Sequence, residues 1–344
     1  MSRRRNPDRL ALTTLLVLML LTTAFSIRFG AIDFSTQDMI TAVSHTLSGA
    51  RDLTLNQRIF MQLRVPRAIL CLFVGASLGV GGTLMQALFR NPIVEPGLVG
   101  TSSGAAFGAA LFYVFGAVLK VSLGAWTLPL VACAGGVLST YLVFALAQTR
   151  NEGRSSIVLL LLTGLAINAL FMSGIGFLSY VARDPQARSI IYWTLGTVSG
   201  ADWRSVFVVG FATVIGTAAA QFFAKPLNAL MLGEQEAVAL GVRVGRLKWA
   251  VLSINVLIVA VATAFVGVIS FVGLIVPHIL RIMRGPDNRF LISGSALLGG
   301  TLVSLADLVA RMCLRPAELP IGIVTSVVGV PVFLSLLRRR EYLF

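Results

Sequence analysis

Charge is what this chain has least of. Only 12% of its 344 residues are Asp, Glu, Lys or Arg, about half of the roughly 25% usual in a soluble domain. Lysine is nearly missing: Lys120, Lys225 and Lys248 are the full set. No glycine precedes any of them, so the chain contains no Gly-Lys dipeptide and no phosphate-cradling loop for ATP. Histidine is limited to His45 and His278, and cysteine to Cys71, Cys133 and Cys313, all three in apolar sequence. Their spacing matches no metal or disulfide framework, which excludes the common metalloenzymes and leaves the cysteines as packing residues. No H-E-x-x-H occurs either. The chain reads as no enzyme, with no metal site and no cofactor of its own.

What is present in quantity is apolar sequence. Hydrophobic residues make up 56% of the chain and the mean hydropathy is +0.87. Apolar runs near or above about 18 residues recur along the whole length, which defines an all-α polytopic membrane protein. A β-barrel would show short alternating segments instead. No stretch is long or polar enough for a separate soluble domain, so residues 1–344 read as a single transmembrane domain. The net charge of +14 would suggest nucleic acid on a soluble chain. Here the basic residues gather at the ends of apolar runs, where lipid headgroups and topology account for them, and no nucleic-acid partner is expected.

On a rise of about 1.5 Å per residue and a hydrocarbon core of about 30 Å, ten spans fit the pattern. They run over 10–27, 68–89, 93–112, 126–147, 157–181, 205–223, 249–266, 269–283, 290–310 and 319–337. The first could be taken for a signal peptide, but the run is long for one and reads as a membrane helix. Residues 249–282 would make one helix of about 51 Å, too long for a single crossing, so a break is placed near Gly267. Ten spans put both termini on one side. Placing them in the cytoplasm puts 17 of the 28 basic residues inside, including both terminal clusters.

Two spans are interrupted by proline and glycine: the third around Asn91-Pro92 and Glu95-Pro96-Gly97, the eighth at Gly273 to His278. They lie five spans apart, an odd offset that turns the second copy upside down. Spans 2–5 and 7–10 therefore suggest an inverted repeat, a pattern found around transport pathways. The alternative is that the prolines only help helices pack. Gly75-Ala76-Ser77-Leu78-Gly79 fits G-x-x-x-G and indicates close helix packing. Ionisable groups within spans are few. Glu95 is expected to cap a broken helix, and Asp307 and Arg311 at i,i+4 are expected to pair. Nothing resembles a proton relay, which counts against an ion-coupled carrier. A structural scaffold is the third possibility.

Residues 227–247 break the pattern. This amphipathic stretch carries Glu234, Glu236, Arg243 and Arg246 between long apolar runs. Two readings fit it: a helix that docks a partner supplying energy, or an ordinary interfacial helix.

Several segments resemble the permease subunits of type II ABC importers for iron-siderophores, haem and cobalamin. They are Leu63-Arg64-Val65-Pro66-Arg67; residues 82–92 (GTLMQALFRNP); residues 95–100 (EPGLVG); residues 267–278 (GVISFVGLIVPH); and residues 318–325 (ELPIGIVT). They occur in order from about residue 60 onward. The resemblance implies a ten-helix subunit of the bacterial inner membrane, paired with a second copy of itself and embedded in lipid. It implies two cytoplasmic ATPases, which would bind ATP and Mg, and a periplasmic substrate-binding protein. The ATPase-coupling positions it implies are Leu232, Gly233, Glu234, Glu236, Ala237, Leu240 and Gly241. Docking to the binding protein falls on Arg64, Arg67 and Arg311, and an inner gate on Ser155 and Ser156. Overall likeness favours the haemin-uptake permeases, with ferric siderophores and cobalamin as alternatives.

Overall fold

The computed structural model describes residues 7–30, 34–48, 54–116, 123–147 and 157–338. Among these residues all regular structure is helical. In chain order the helices are α1 (Pro7–Arg28), α2 (Thr36–Leu47), α3 (Leu55–Ile59), α4 (Val65–Phe89), α5 (Thr101–Phe115), α6 (Thr127–Leu146), α7 (Ile157–Val181) and α8 (Asp184–Thr194). There follow α9 (Trp203–Phe222), α10 (Ala224–Leu232), α11 (Glu234–Ala239), α12 (Val244–Val266), α13 (Val272–Arg284), α14 (Asn288–Cys313) and α15 (Ile321–Arg338). A π-helical turn, Phe60–Arg64, joins α3 to α4.

Polar side chains cap a few of the helices. Asp202 caps α9 through the Ser205 amide (2.8 Å) and Thr54 forms a capping box with Gln57 at α3, each satisfying a backbone N–H that has no partner inside its helix.

Seven helices among the described residues are long and apolar enough to cross a membrane. Every expected span is helical over most of its length, but α5 and α13 have only 15 and 13 residues. At about 1.5 Å per residue neither helix alone covers a core of about 30 Å.

The two interrupted spans begin later than expected, and the reason is local. After α4 the chain turns through Arg90 in the left-handed region (φ 50°), runs irregularly past Pro92, and makes a short 3-10 turn, Pro96–Val99. Proline has no N–H to donate and restricts the residue before it, so α5 starts at Thr101 after Gly100 (φ 87°) and not at 93. The break near Gly267 falls where expected: α12 ends at Val266 and Gly267 takes φ 74°. The next helix begins at Val272, because residues 267–271 are not helical and Phe271 holds φ 68°.

Helix α4 is the centre of the bundle, with nineteen buried residues. Glycine makes that possible. A Cβ at Gly75 would collide with the Gly299 carbonyl of α14, one at Gly79 with the Ser295 carbonyl, and one at Gly82 with the Gly273 carbonyl of α13. Helix backbones therefore touch along one face of α4, as small residues permit in lipid, where apolar burial between helices adds little. Buried hydroxyl pairs add register: Ser77 with Thr213 (2.7 Å), Thr83 with Ser295 (2.8 Å) and Thr101 with Thr140 (2.7 Å). Residues 75–79 also spell G-x-S-x-G, but Ser77 lies buried mid-helix and not on the strand-to-helix elbow that a serine nucleophile needs.

Candidate functional site

Residues 227–247 fold as two short helices and the start of a third. Gly233, at φ 142° and ψ 156°, makes the corner between α10 and α11. A side chain there would strike the Glu236 carboxylate. Leu227, Leu230, Ala237, Val244 and Leu247 are buried against the bundle. Glu234 pairs with Lys248 of α12 at 2.7 Å. The opposite face is apolar and uncovered: Leu232, Val238 and Leu240 are each more than 60% exposed, with Glu236 and Gly241 (φ 83°) beside them.

The platform is tied to α14. Asn228 donates to Asp287 (2.7 Å) and accepts from the Asn288 backbone N–H (2.9 Å). Asp287 also caps α14 through the Arg289 N–H at 3.0 Å. The Arg289 guanidinium foremost, with the Asn228 amide and the Arg289 backbone N–H, holds the Asp287 carboxyl down to about 2 despite partial burial. A depressed carboxyl contributes stability that is complete above its unfolded pKa of about 3.9 and is lost only as pH falls toward 2. The attachment of α10 to α14 is accordingly insensitive to pH over roughly pH 5 to 8.

The arginines lie at the other end of α14, a helix of 26 residues and so about 39 Å long. Arg67 donates to Asp307 (Nε 3.0 Å, Nη2 2.9 Å) and from Nη1 to both oxygens of Glu318 (2.9 and 2.8 Å). Arg311 pairs with Asp307 at 2.9 Å, the expected i,i+4 pair. Arg311 also donates to the Ser26 hydroxyl (2.7 Å) and to the Ser26 and Phe29 carbonyls (3.2 Å each). Arg64 donates to the Ile27 and Arg28 carbonyls at 3.4 Å and sits 4.8 Å from the Phe34 ring centroid. Two guanidinium groups thus close the C-terminus of α1, whose last carbonyls lack helical donors and carry the negative end of the helix dipole. Arg64 and Arg311 are buried, at 9% and 5% exposure. Of the three arginines, the Arg67 side chain is the most accessible, at 13%, beside a Glu318 that is 35% exposed. The sequence carries no sign of the α1 cap, because Arg311 is more than 280 positions from the carbonyls it closes.

Ser155 and Ser156 lie outside the described residues; α7 starts directly after them at Ile157.

The two interrupted segments meet in space. The Phe271 N–H donates to Glu95 Oε1 at 3.3 Å, so the Glu95 side chain serves the start of α13 and makes no cap on the 3-10 turn of its own segment. Pro277 cannot donate to the Gly273 carbonyl one turn earlier. Gln86 of α4 supplies the missing donor, with its Nε2 3.3 Å from Gly273 O and 3.1 Å from Leu274 O. Arg281 in turn donates to Gln86 Oε1 at 3.0 Å. Asn168 of α7 donates to Gly97 O (3.3 Å) and accepts from Ser103. Sequence reasoning singles out neither Gln86 nor Asn168; the signal for Asn168 is that it is the lone amide in an apolar run. No group of three His, Cys, Asp or Glu able to hold a metal occurs among the described residues.

This is a multi-pass helical membrane protein with an exposed apolar ridge at one end and a charged cluster at the other, the outline of a transporter's membrane subunit. The chain belongs to the FecCD transport family, whose pattern spans residues 17–339, and is the permease of a type II ABC importer. It is 37% identical over 338 residues to the hemin transport system permease protein HmuU of Yersinia pestis, covering 98% of each chain. It is 40% identical over 285 residues to the cobalamin import system permease protein BtuC of Halobacterium salinarum, covering 83% of this chain and 74% of that one. A solved structure described as an inward-facing conformation of a metal-chelate type ABC transporter superposes with a TM-score of 0.82 at 29% identity, over 95% of this chain and 98% of that chain.

Proposed function

We propose that this chain carries haem across the bacterial inner membrane, receiving it from a periplasmic binding protein and drawing energy from cytoplasmic ATPases. Two copies would pair in lipid to form the pathway. The ATPases would hold ATP and Mg. Ten crossings, completed at α5 and α13 by the irregular segments before them, place both termini in the cytoplasm. In that orientation the 227–247 platform faces the ATPases and the arginine cluster faces the binding protein. Spans 2–5 and 7–10 would then be the inverted halves, with their two breaks in contact at Glu95 and Phe271.

The observation that carries the ATP-driven reading is the uncovered apolar ridge of Leu232, Val238 and Leu240 on a platform otherwise locked to the bundle. An apolar patch rimmed by polar residues marks a protein or membrane contact, and the substitution below separates the two. Changing all three to serine is expected to lower ATPase co-purification at least about tenfold, because each buried apolar side chain contributes roughly 1.5–3 kcal/mol. The permease should remain monodisperse. Full retention of the ATPase by the triple variant would overturn the assignment of the platform.

Haem is supported by the full-length similarity to a hemin permease. A second reading, cobalamin, is favoured by the identity of 40% to BtuC proteins, and a ferric siderophore is the third. Proteoliposomes loaded with ATP and supplied with the binding protein should accumulate haemin and not cyanocobalamin. The reverse preference would move the assignment to cobalamin, and uptake without the ATPase would sink the importer reading.

For binding-protein docking, Arg64, Arg67 and Arg311 are the proposed contacts. Arg67 has the readiest exchange, since its Glu318 partner is partly exposed and can be replaced by a carboxylate of the binding protein. Glu318→Gln is expected to tighten docking several-fold and Arg67→Glu to weaken it at least about tenfold, more so at low salt, where charges are less screened. Affinity unchanged in both variants would remove Arg67 from the interface.

A further inference from the structure

We propose that Glu95 is a positioning residue of the transport cycle: with Asn168 it makes the 95–100 turn a rigid joint between α7 and α13, so that the two helices move together. The proposal rests on the importer reading above and adds a mechanical element to it.

The joint is built from both sides. On the α7 side, Asn168 holds the Gly97 carbonyl at 3.3 Å, and Gly164 lets the Leu98 carbonyl come so close that any Cβ there would collide with it. On the α13 side, Glu95 accepts the Phe271 N–H at 3.3 Å. Pro96 packs on Gly273, where an added Cβ would lie 2.8 Å from the Pro96 ring. Ser103 closes the ring of contacts by bonding Asn168 and, at 3.2 Å, the Gly100 carbonyl.

The backbone at the joint is held away from its relaxed state. Phe271 is a bulky residue at φ 68°, a conformation that persists only where surrounding contacts over-determine it. Glu95 supplies one such contact. Gly329 of α15 supplies another, since a Cβ there would lie 2.6 Å from the Phe271 side chain.

Contacts made largely by backbone and by proline have little rotamer freedom. They pass displacement on without absorbing it, in the way packed elements shift as units. Helix α13 ends in Arg281 and Arg284, shortly before Asp287 and the tie to the coupling platform. The turn therefore links α7 to the helix whose far end leads to the proposed coupling platform.

The test uses the permease with its ATPase and binding protein in liposomes, with haemin and cyanocobalamin as probes. Glu95→Ala and Asn168→Ala should keep ATP hydrolysis within about twofold of wild type while import per ATP falls at least about tenfold, the split expected of a lost mechanical link. Glu95→Gln retains an acceptor oxygen and should restore import per ATP to within about threefold. Glu95→Gln as defective as Glu95→Ala, or import and hydrolysis falling in parallel in Glu95→Ala, would overturn the proposal. If wild type moves neither probe, the haem and cobalamin readings fail, and the joint is read in the purified permease alone. Spin labels at the exposed positions Leu162 and Met283 should give one narrow distance distribution in wild type and Glu95→Gln and a broader one in Glu95→Ala. Equal widths in all three would refute the joint.

Discussion

Replacing Asp307 with alanine is expected to cost about 3–5 kcal/mol of stability, because it leaves buried positive charge without a counter-ion. Asp307 is 1% exposed and bonds Arg67 and Arg311 together. Its removal leaves the Arg311 guanidinium, which also closes α1, without a carboxylate partner and leaves Arg67 with Glu318 alone. Glu318 shares Arg67 but is 35% exposed, so Glu318→Ala should cost only about 0–1 kcal/mol, the range of surface pairs. Thermal inactivation of the detergent-purified permease compares the two variants directly. Equal losses would mean that the Asp307 cluster is as well hydrated as the surface. The same comparison separates structure from docking. A variant at Asp307 should lose the fold, while one at Arg67 or Glu318 should first lose or gain affinity for the binding protein.

The second large effect is expected from a single methyl group. Gly82→Ala would drive a Cβ into the Gly273 carbonyl, and Gly75→Ala into that of Gly299. A clash with a flexible side-chain end is relieved by a rotamer change, but backbone in a neighbouring helix yields only if the helices separate. Each substitution is expected to cost about 3 kcal/mol, the upper end of overpacking effects. Gly82→Ala should be the more damaging in function, since its neighbour Gly273 belongs to the interrupted start of α13 and is bonded by Gln86. Gly245 is a control: nothing lies within 4 Å of the position its Cβ would take, and Gly245→Ala should be neutral or slightly stabilising in its helix. Size-exclusion profiles and thermal scans of the three variants test the order. Wild-type behaviour of Gly82→Ala would mean that α4 and α13 can part without loss.

Much of this is legible in the sequence for direct physical reasons. Hydropathy alone places the long apolar helices, because a span in lipid must satisfy every backbone group internally and expose apolar side chains. The break at Gly267 follows from length. Asp307 with Arg311 as an i,i+4 pair follows from local chemistry. The platform at 227–247 stands out because charge is scarce everywhere else. Hydropathy starts the third and eighth spans several residues too early, since the apolar character of Ile93, Val94 and Ile269 says nothing of backbone that proline and a left-handed residue keep out of a helix.

The sequence by itself determined the class of the protein, the positions of its apolar helices and the segment proposed to meet a partner, because each depends on composition or on spacing within a few turns. Only the tertiary structure decided which polar groups satisfy one another. Arg64 and Arg311 close the end of α1, Gln86 replaces the donor that Pro277 lacks, and Asn168 and Glu95 clamp one turn from two sides. In a protein with so few charges each buried polar group needs a partner, and those partners lie up to 285 positions away in the chain, where no local pattern records them.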